Sequence, residues 1–202
     1  KIPGFLSEEE VLKILNSASK VGKNKLEKTR NKALIEILYA SGMRVSELVS
    51  LRKSLFIGTP EIILIKGKGN KERMVPISKL AISAIKKYLA ELKKTNIAFY
   101  ESDFLFPSRS KNGYLNRERF FLIIKKIAKF AGLNPRNVSP HKIRHAFASH
   151  LLSNGADLRV IQTLLGHKNL STTEIYTHIL DEKMIKSVQE NHPFAKKDFK
   201  NL

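Results

Sequence analysis

Apolar residues recur at helical spacing through most of the chain, and the first clear case opens at Leu6. Leu6-Ser7-Glu8-Glu9-Glu10-Val11 combines an N-cap serine, a glutamate three residues on that closes a capping box, and an apolar pair, Leu6 and Val11, across the helix start. Val11, Leu12, Ile14, Leu15 and Ala18 then form one face. A polar break from Lys20 to Lys28 separates this helix from a second, beginning near Thr29. There Ala33, Leu34, Ile37, Leu38 and Tyr39 keep the spacing until Gly42, a C-cap glycine. Arg44 follows that stop directly, at the start of a short helix over residues 45–51 anchored by Leu48, Val49 and Leu51.

The period then changes. Residues 61–65 are an apolar run of strand length, residues 73–77 are a second, and the Gly- and Lys-rich turn between them predicts an antiparallel hairpin. Pro76 cannot donate to a ladder, which predicts a strand end or a sheet edge there. Helical spacing returns after Ser78, with Leu80, Ala81, Ile85, Tyr88, Leu89 and Leu92 on the buried side, and residues 104–107 read as a short buried segment. Asn116 caps a helix reaching Phe130, and Ser139-Pro140 opens another that runs to about Ser153. Asp157 caps one ending at Gly166. Residues 170–175 repeat the box-and-staple pattern, so Tyr176 falls in the second turn of a further helix. The predicted fold class is mainly α with a small antiparallel β-sheet, an α+β arrangement.

With 202 residues, 42% of them hydrophobic, the chain can bury the core of a well-packed domain. Its 37 Lys+Arg against 18 Asp+Glu give a formal charge of +19, which favours an anionic partner. No run approaches the ~18 apolar residues of a membrane span, and no signal-peptide pattern opens the sequence. Nucleic acid is therefore favoured over a membrane. Cysteine is absent, which fits a reducing cytosol and removes thiolate metal sites. The four aspartates are widely spread, and no carboxylates carry the clustering that two-metal phosphoryl transfer needs. Chemistry on a phosphodiester is thus expected to run without a metal or other cofactor.

Several residues suit such chemistry, each with a plainer alternative. Arg44, at a helix start, can fork two N–H donors onto a phosphate, although a lone arginine in so basic a chain is more simply a solvated one. His141 and Arg144 stand three apart on one face near a helix N-terminus; an exposed polar stripe would look the same. His141 and His145 are spaced as a metal pair but lack a third ligand, so His145 is read as a packing or hydrogen-bonding residue. Lys66, Lys68 and Lys71 compete at the hairpin tip; GKGNK lacks P-loop spacing, and on chemistry alone a turn made soluble by charge is the simpler reading. His167 follows a helix end. Tyr176 is as readily a core aromatic, and with a reference pKa near ~10 its hydroxyl attacks only with positive neighbours or a base.

Taken together, with their surrounding words, these residues resemble the active-site set of the tyrosine recombinases, Xer type. The similarity runs through ALIEILYASGMRVSELVSL, IKGKGNKERMVPI and SPHKIRHAFASHLLSNGADLRVIQTLLGHKNLSTTEIYTHI, and extends to Asn191-His192-Pro193 near the end. The resemblance implies a DNA breaking-rejoining catalytic domain acting as a site-specific recombinase. By position, Tyr176 matches the nucleophile that forms a 3′-phosphotyrosyl bond and frees a 5′-hydroxyl. Arg44 and Arg144 match the arginines on the non-bridging oxygens, His141 the general acid/base, and His167 the second phosphate-bonding histidine. Lys68 matches the hairpin lysine that protonates the leaving oxygen, and Glu47 the acidic residue that orders the site.

The resemblance also implies a double-stranded DNA recombination site and a homo- or hetero-tetramer of related protomers, with an accessory activator protein and no membrane. The setting would be cytoplasmic and nucleoid-associated, the role chromosome-dimer resolution or mobile-element movement. Residues 1–5 would link from an N-terminal core-binding domain, residues 6–180 would be catalytic, and residues 181–202 would form a tail docking on a neighbouring protomer through Phe194 and Phe199.

Overall fold

In the computed structural model, residues 6–67, 72–166, 187, 188 and 190–193 are described. The first helix, α1 (Glu8–Ala18), starts as the sequence predicts. Ser7 Oγ accepts from the Glu10 amide at 3.1 Å, and Glu10 Oε2 accepts from the Ser7 amide at 2.8 Å. The second helix, α2 (Lys25–Ser41), begins earlier than the expected start near Thr29. Its mostly polar first turn is fastened by caps: Asn24 Oδ1 accepts from the Glu27 amide at 2.9 Å, and Glu27 Oε2 from the Lys23 amide at 2.8 Å. Apolar spacing registers a helix only once it meets the core, which here is from Ala33 onward.

From there α2 is buried on every side through Ser41, packed by α1, by α4 (Lys79–Thr95) and by α7 (Pro140–Ser153). It ends at Gly42, whose φ of +57° turns the chain out of the helix and into α3 (Val45–Val49). Leu48, Val49 and Leu51 are buried, as predicted. A 3-10 turn, Lys53–Phe56, leads to the hairpin.

The two strands, β1 (Ile62–Lys66) and β2 (Glu72–Pro76), pair antiparallel from Ile62↔Pro76 to Lys66↔Glu72. Each lies one residue nearer the turn than expected. Pro76 closes the open end of the ladder, where its missing N–H costs nothing. Ile63, Ile65 and Val75 point inward, while Leu64 and Met74 face out.

After α4 comes α5 (Ile97–Glu101), which the sequence did not announce; Asn96 Oδ1 accepts from the Phe99 amide at 3.1 Å and starts it without an amphipathic stripe. Residues 105–107 are buried as expected. The remaining helices among the described residues are α6 (Arg117–Phe130), α7 and α8 (Leu158–Leu165), capped by Asn116, Ser139 and Asp157 in turn, and the further helix expected around Tyr176 lies outside them. The outcome is mainly α with a two-stranded antiparallel sheet. No described helix is long and apolar enough to cross a membrane.

Near the C-terminus, Val188 and His192 are buried against their own chain. The His192 ring lies 5.0 Å from that of Tyr39 and 6.1 Å from that of Phe147, centroid to centroid. His150 lies beside them, its Nδ1 2.9 Å from the Tyr39 hydroxyl and its Nε2 2.9 Å from the Leu6 carbonyl. A neutral imidazole donating from Nε2 and accepting at Nδ1 satisfies both bonds. Phe194 and Phe199, the expected anchors of protomer exchange, lie outside the described residues.

Candidate active site

The charged cluster is assembled from the start of α3, the start of β2, the first turns of α7 and the end of α8. Glu47, in the first turn of α3, accepts from the Arg44 amide through Oε2 at 2.7 Å and from Arg44 Nη1 through Oε1 at 3.2 Å. Arg73 of β2 grips the same carboxylate with both terminal nitrogens, Nη1 to Oε1 at 2.8 Å and Nη2 to Oε2 at 2.6 Å. The Glu47 and Arg73 side chains are 5% and 10% exposed, against 39% for Arg44. Arg44 is thus the member of this group that faces solvent.

The last carbonyls of α8 complete the arrangement. Arg73 Nε donates to Leu164 O at 2.9 Å, Arg144 Nη2 to Leu165 O at 2.7 Å, and Arg44 Nη2, at a longer 3.4 Å, to Gly166 O. Three consecutive carbonyls therefore each hold a different arginine. A helix leaves these groups without intrahelical partners, and they carry its partial negative charge. Arg144 is also fixed at the end of α2, donating from Nη1 to Gly42 O at 2.6 Å. Both helices end on a left-handed glycine, Gly42 at φ +57° and Gly166 at φ +66°. A Cβ at Gly42 would sit 2.3 Å from the Phe147 ring, and one at Gly166 would crowd Arg73 Cδ at 3.3 Å.

Among the described residues, three guanidinium groups and one carboxylate meet here, an excess of two positive charges. Burial raises the proton affinity of Glu47, but hydrogen bonds from Arg73 and the Arg44 amide outweigh it and hold the carboxyl below its ordinary range. Burial, then repulsion from Arg44 and Arg73, pulls Arg144 down to about 10, with Glu47 acting the other way. The cluster is therefore cationic at neutral pH and crowded with like charge. A guanidinium has five N–H donors, and Arg44 and Arg144 each direct two of theirs into these bonds. Donors remain for an anion such as a phosphate, which would also relieve the repulsion.

Of the residues singled out in the sequence, Arg44, Glu47 and Arg144 come together here. His141 lies on α7 one turn before Arg144 and is exposed. Its Nε2 is 2.8 Å from Nε2 of His145, so one ring donates and the other accepts. This gives His145 the hydrogen-bonding part expected of it. Lys66 pairs with Glu72 at 3.5 Å across the hairpin. Lys68, Lys71, His167 and Tyr176 lie outside the described residues.

Arg73 is the member that the sequence reading missed. Its signal lies in the strand: β2 places residue 73 on the same face as buried Val75 and turns Met74 outward. An arginine at an inward position beside an outward methionine reverses the usual alternation, and marks a charge with a buried partner.

The sequence matches the phage integrase family over residues 4–183. It is 48% identical over 199 residues to the tyrosine recombinase XerD of Rhizobium meliloti (strain 1021), covering 96% of this chain and 63% of that protein. It is 47% identical over 219 residues to the XerD of Agrobacterium fabrum, covering 100% of the chain and 65% of the relative. The chain therefore spans a little under two thirds of the length of these relatives. Among solved structures, XerA recombinase aligns with a TM-score of 0.69 at 30% identity, over 96% of this chain and 67% of that one. The XerH recombinase bound to its difH substrate, in a pre-cleavage complex, aligns at 0.70 with 31% identity, over 92% and 50%.

Proposed function

Because the chain belongs to the phage integrase family, we propose that it is the catalytic part of a site-specific tyrosine recombinase working on double-stranded DNA. The observation that carries this reading is the paired fixing of Arg44 and Arg144 against the end of α8, with N–H donors left over and an excess of positive charge among the described residues. Such a site suits the non-bridging oxygens of one phosphodiester. Negative charge grows on those oxygens as phosphorus becomes five-coordinate, and donors fixed beforehand stabilise it without reorganising.

In this reading the Tyr176 oxygen attacks the scissile phosphorus and gives up its proton to His141. The bond from phosphorus to the 5′-oxygen breaks, and Lys68 supplies that oxygen with a proton. His141 assists as general acid/base, His167 donates to the phosphate, and Glu47 orders Arg44. The 3′-phosphotyrosyl bond conserves the diester, so a 5′-hydroxyl from a partner strand rejoins it by the reverse steps, with no call on ATP. Exchange between two duplexes requires four active sites, hence a tetramer of like or related protomers. Residues 6–180 form the catalytic unit, and chromosome-dimer resolution or mobile-element movement is the setting for such a reaction.

A duplex nicked close to the scissile phosphate tests this directly, because the short fragment diffuses away and prevents rejoining. The full-length protein should form a covalent DNA adduct that survives denaturing electrophoresis, and Tyr176→Phe should form none. An adduct that persists in Tyr176→Phe would assign the nucleophile elsewhere.

A further inference from the structure

Resting on that reading, we propose that Arg73 is a positioning residue for strand cleavage: it holds Glu47 and the end of α8 so that Arg44 keeps its place and its charge for the phosphate. Arg73 is nearly enclosed and commits Nη1, Nη2 and Nε to Glu47 and Leu164, so it acts through other groups and does not touch DNA itself.

Two features separate this role from that of an ordinary buried ion pair. First, the Glu47 carboxylate is shared between a buried arginine and an exposed one. With Arg73 in place, its negative charge is largely answered from inside the protein. Without Arg73, the same carboxylate would turn fully onto Arg44, drawing the guanidinium inward and cancelling charge meant for the substrate. Second, Arg73 belongs to β2 but is bonded to α3 and to α8, elements distant in sequence. Its Nε takes the carbonyl next to those that hold Arg144 and Arg44. One side chain thereby fixes the strand, the carboxylate and the carbonyl row relative to one another, and a displacement of about 1 Å among reacting groups is enough to cost roughly 10²-fold in rate.

The test uses the full-length protein with Arg73→Met, Arg73→Lys, and Arg73→Met combined with Glu47→Gln, the last leaving no unpaired buried carboxylate to prevent folding. Thermal melting, DNA affinity and single-turnover adduct formation on the nicked duplex are measured for each. Arg73→Met should slow adduct formation about 10²-fold while affinity changes less than about 3-fold, since many other cations contact the backbone. Arg73→Lys keeps a charge but loses the fork, and should recover part of the rate, remaining about 10-fold slow. The double variant should melt near the unaltered protein and react faster than Arg73→Met, because no carboxylate is left to neutralise Arg44, yet stay about 10-fold slow, because the carbonyl row of α8 is no longer tied to the strand. A double variant or Arg73→Met that reacts within about 3-fold of the unaltered rate overturns the proposal, as does a rate loss matched by an equal loss of affinity. If the unaltered protein forms no adduct at all, the recombinase reading falls and takes this role with it, an outcome distinct from failure of Arg73 alone.

Discussion

Gly42 combines two tasks that a side chain would obstruct. It turns the chain at φ +57°, and it lies against the Phe147 ring, where a Cβ would approach to 2.3 Å. Gly42→Ala should therefore lose about 1–2 kcal/mol to the left-handed backbone and about 1–3 kcal/mol to overpacking, a shift that denaturant titration would read. Adduct formation should fall further than stability explains, because the displaced carbonyl is the one that holds Arg144 Nη1. At this scale the site was half legible in the sequence. Arg44 and Arg144 stood out through the resemblance of the words around them to a known family, since alone each read as readily as a solvated arginine. Arg73 stayed hidden because strand alternation reveals which way a side chain points, not which carboxylate waits for it on another element.

Helices whose cap is followed by an apolar stripe were legible to within a residue or two, and those whose cap is not were missed or started late. α5 and the first turn of α2 both start on an asparagine accepting a backbone N–H, a bond that leaves no periodic trace. The segment around residues 187–193 has its own electrostatic dependence. Burial pulls His192 down to about 4, and burial also lowers His150, partly opposed by Glu8 and by the Leu6 carbonyl. Both rings are thus neutral in place, whereas an undocked histidine titrates near ~6.5. Between those values the undocked form holds more protons, so docking weakens as pH falls through that window and is level above it. For His192 the full difference amounts to about 3 kcal/mol. Hydrogen exchange at the His192 amide, which bonds to Val188 O at 2.8 Å, should lose protection between about pH 6.5 and pH 4 after correction for intrinsic rates. Protection independent of pH across that interval would remove the histidine from this role.

For the molecule as a whole, a charge of +19 sets how it meets a polyanion. Each phosphate neutralised releases counterions, so binding to duplex DNA should weaken by about 10³-fold or more from roughly 50 to 200 mM salt if six or more phosphates are engaged. Fluorescence anisotropy across a salt series would measure the slope, and a flat line would mean that the basic surface is not the DNA-binding one. The row of acceptors at the end of α8 bears on how such a protein tolerates genetic change. Its acceptors belong to the main chain, so replacing Leu164 or Leu165 leaves every one of them in place. Inserting or deleting a single codon within α8 is another matter, because it would swing the row by about 100° around the helix and disengage all three arginines at once. The exposed positions of this helix can thus change in spelling, whereas its length cannot.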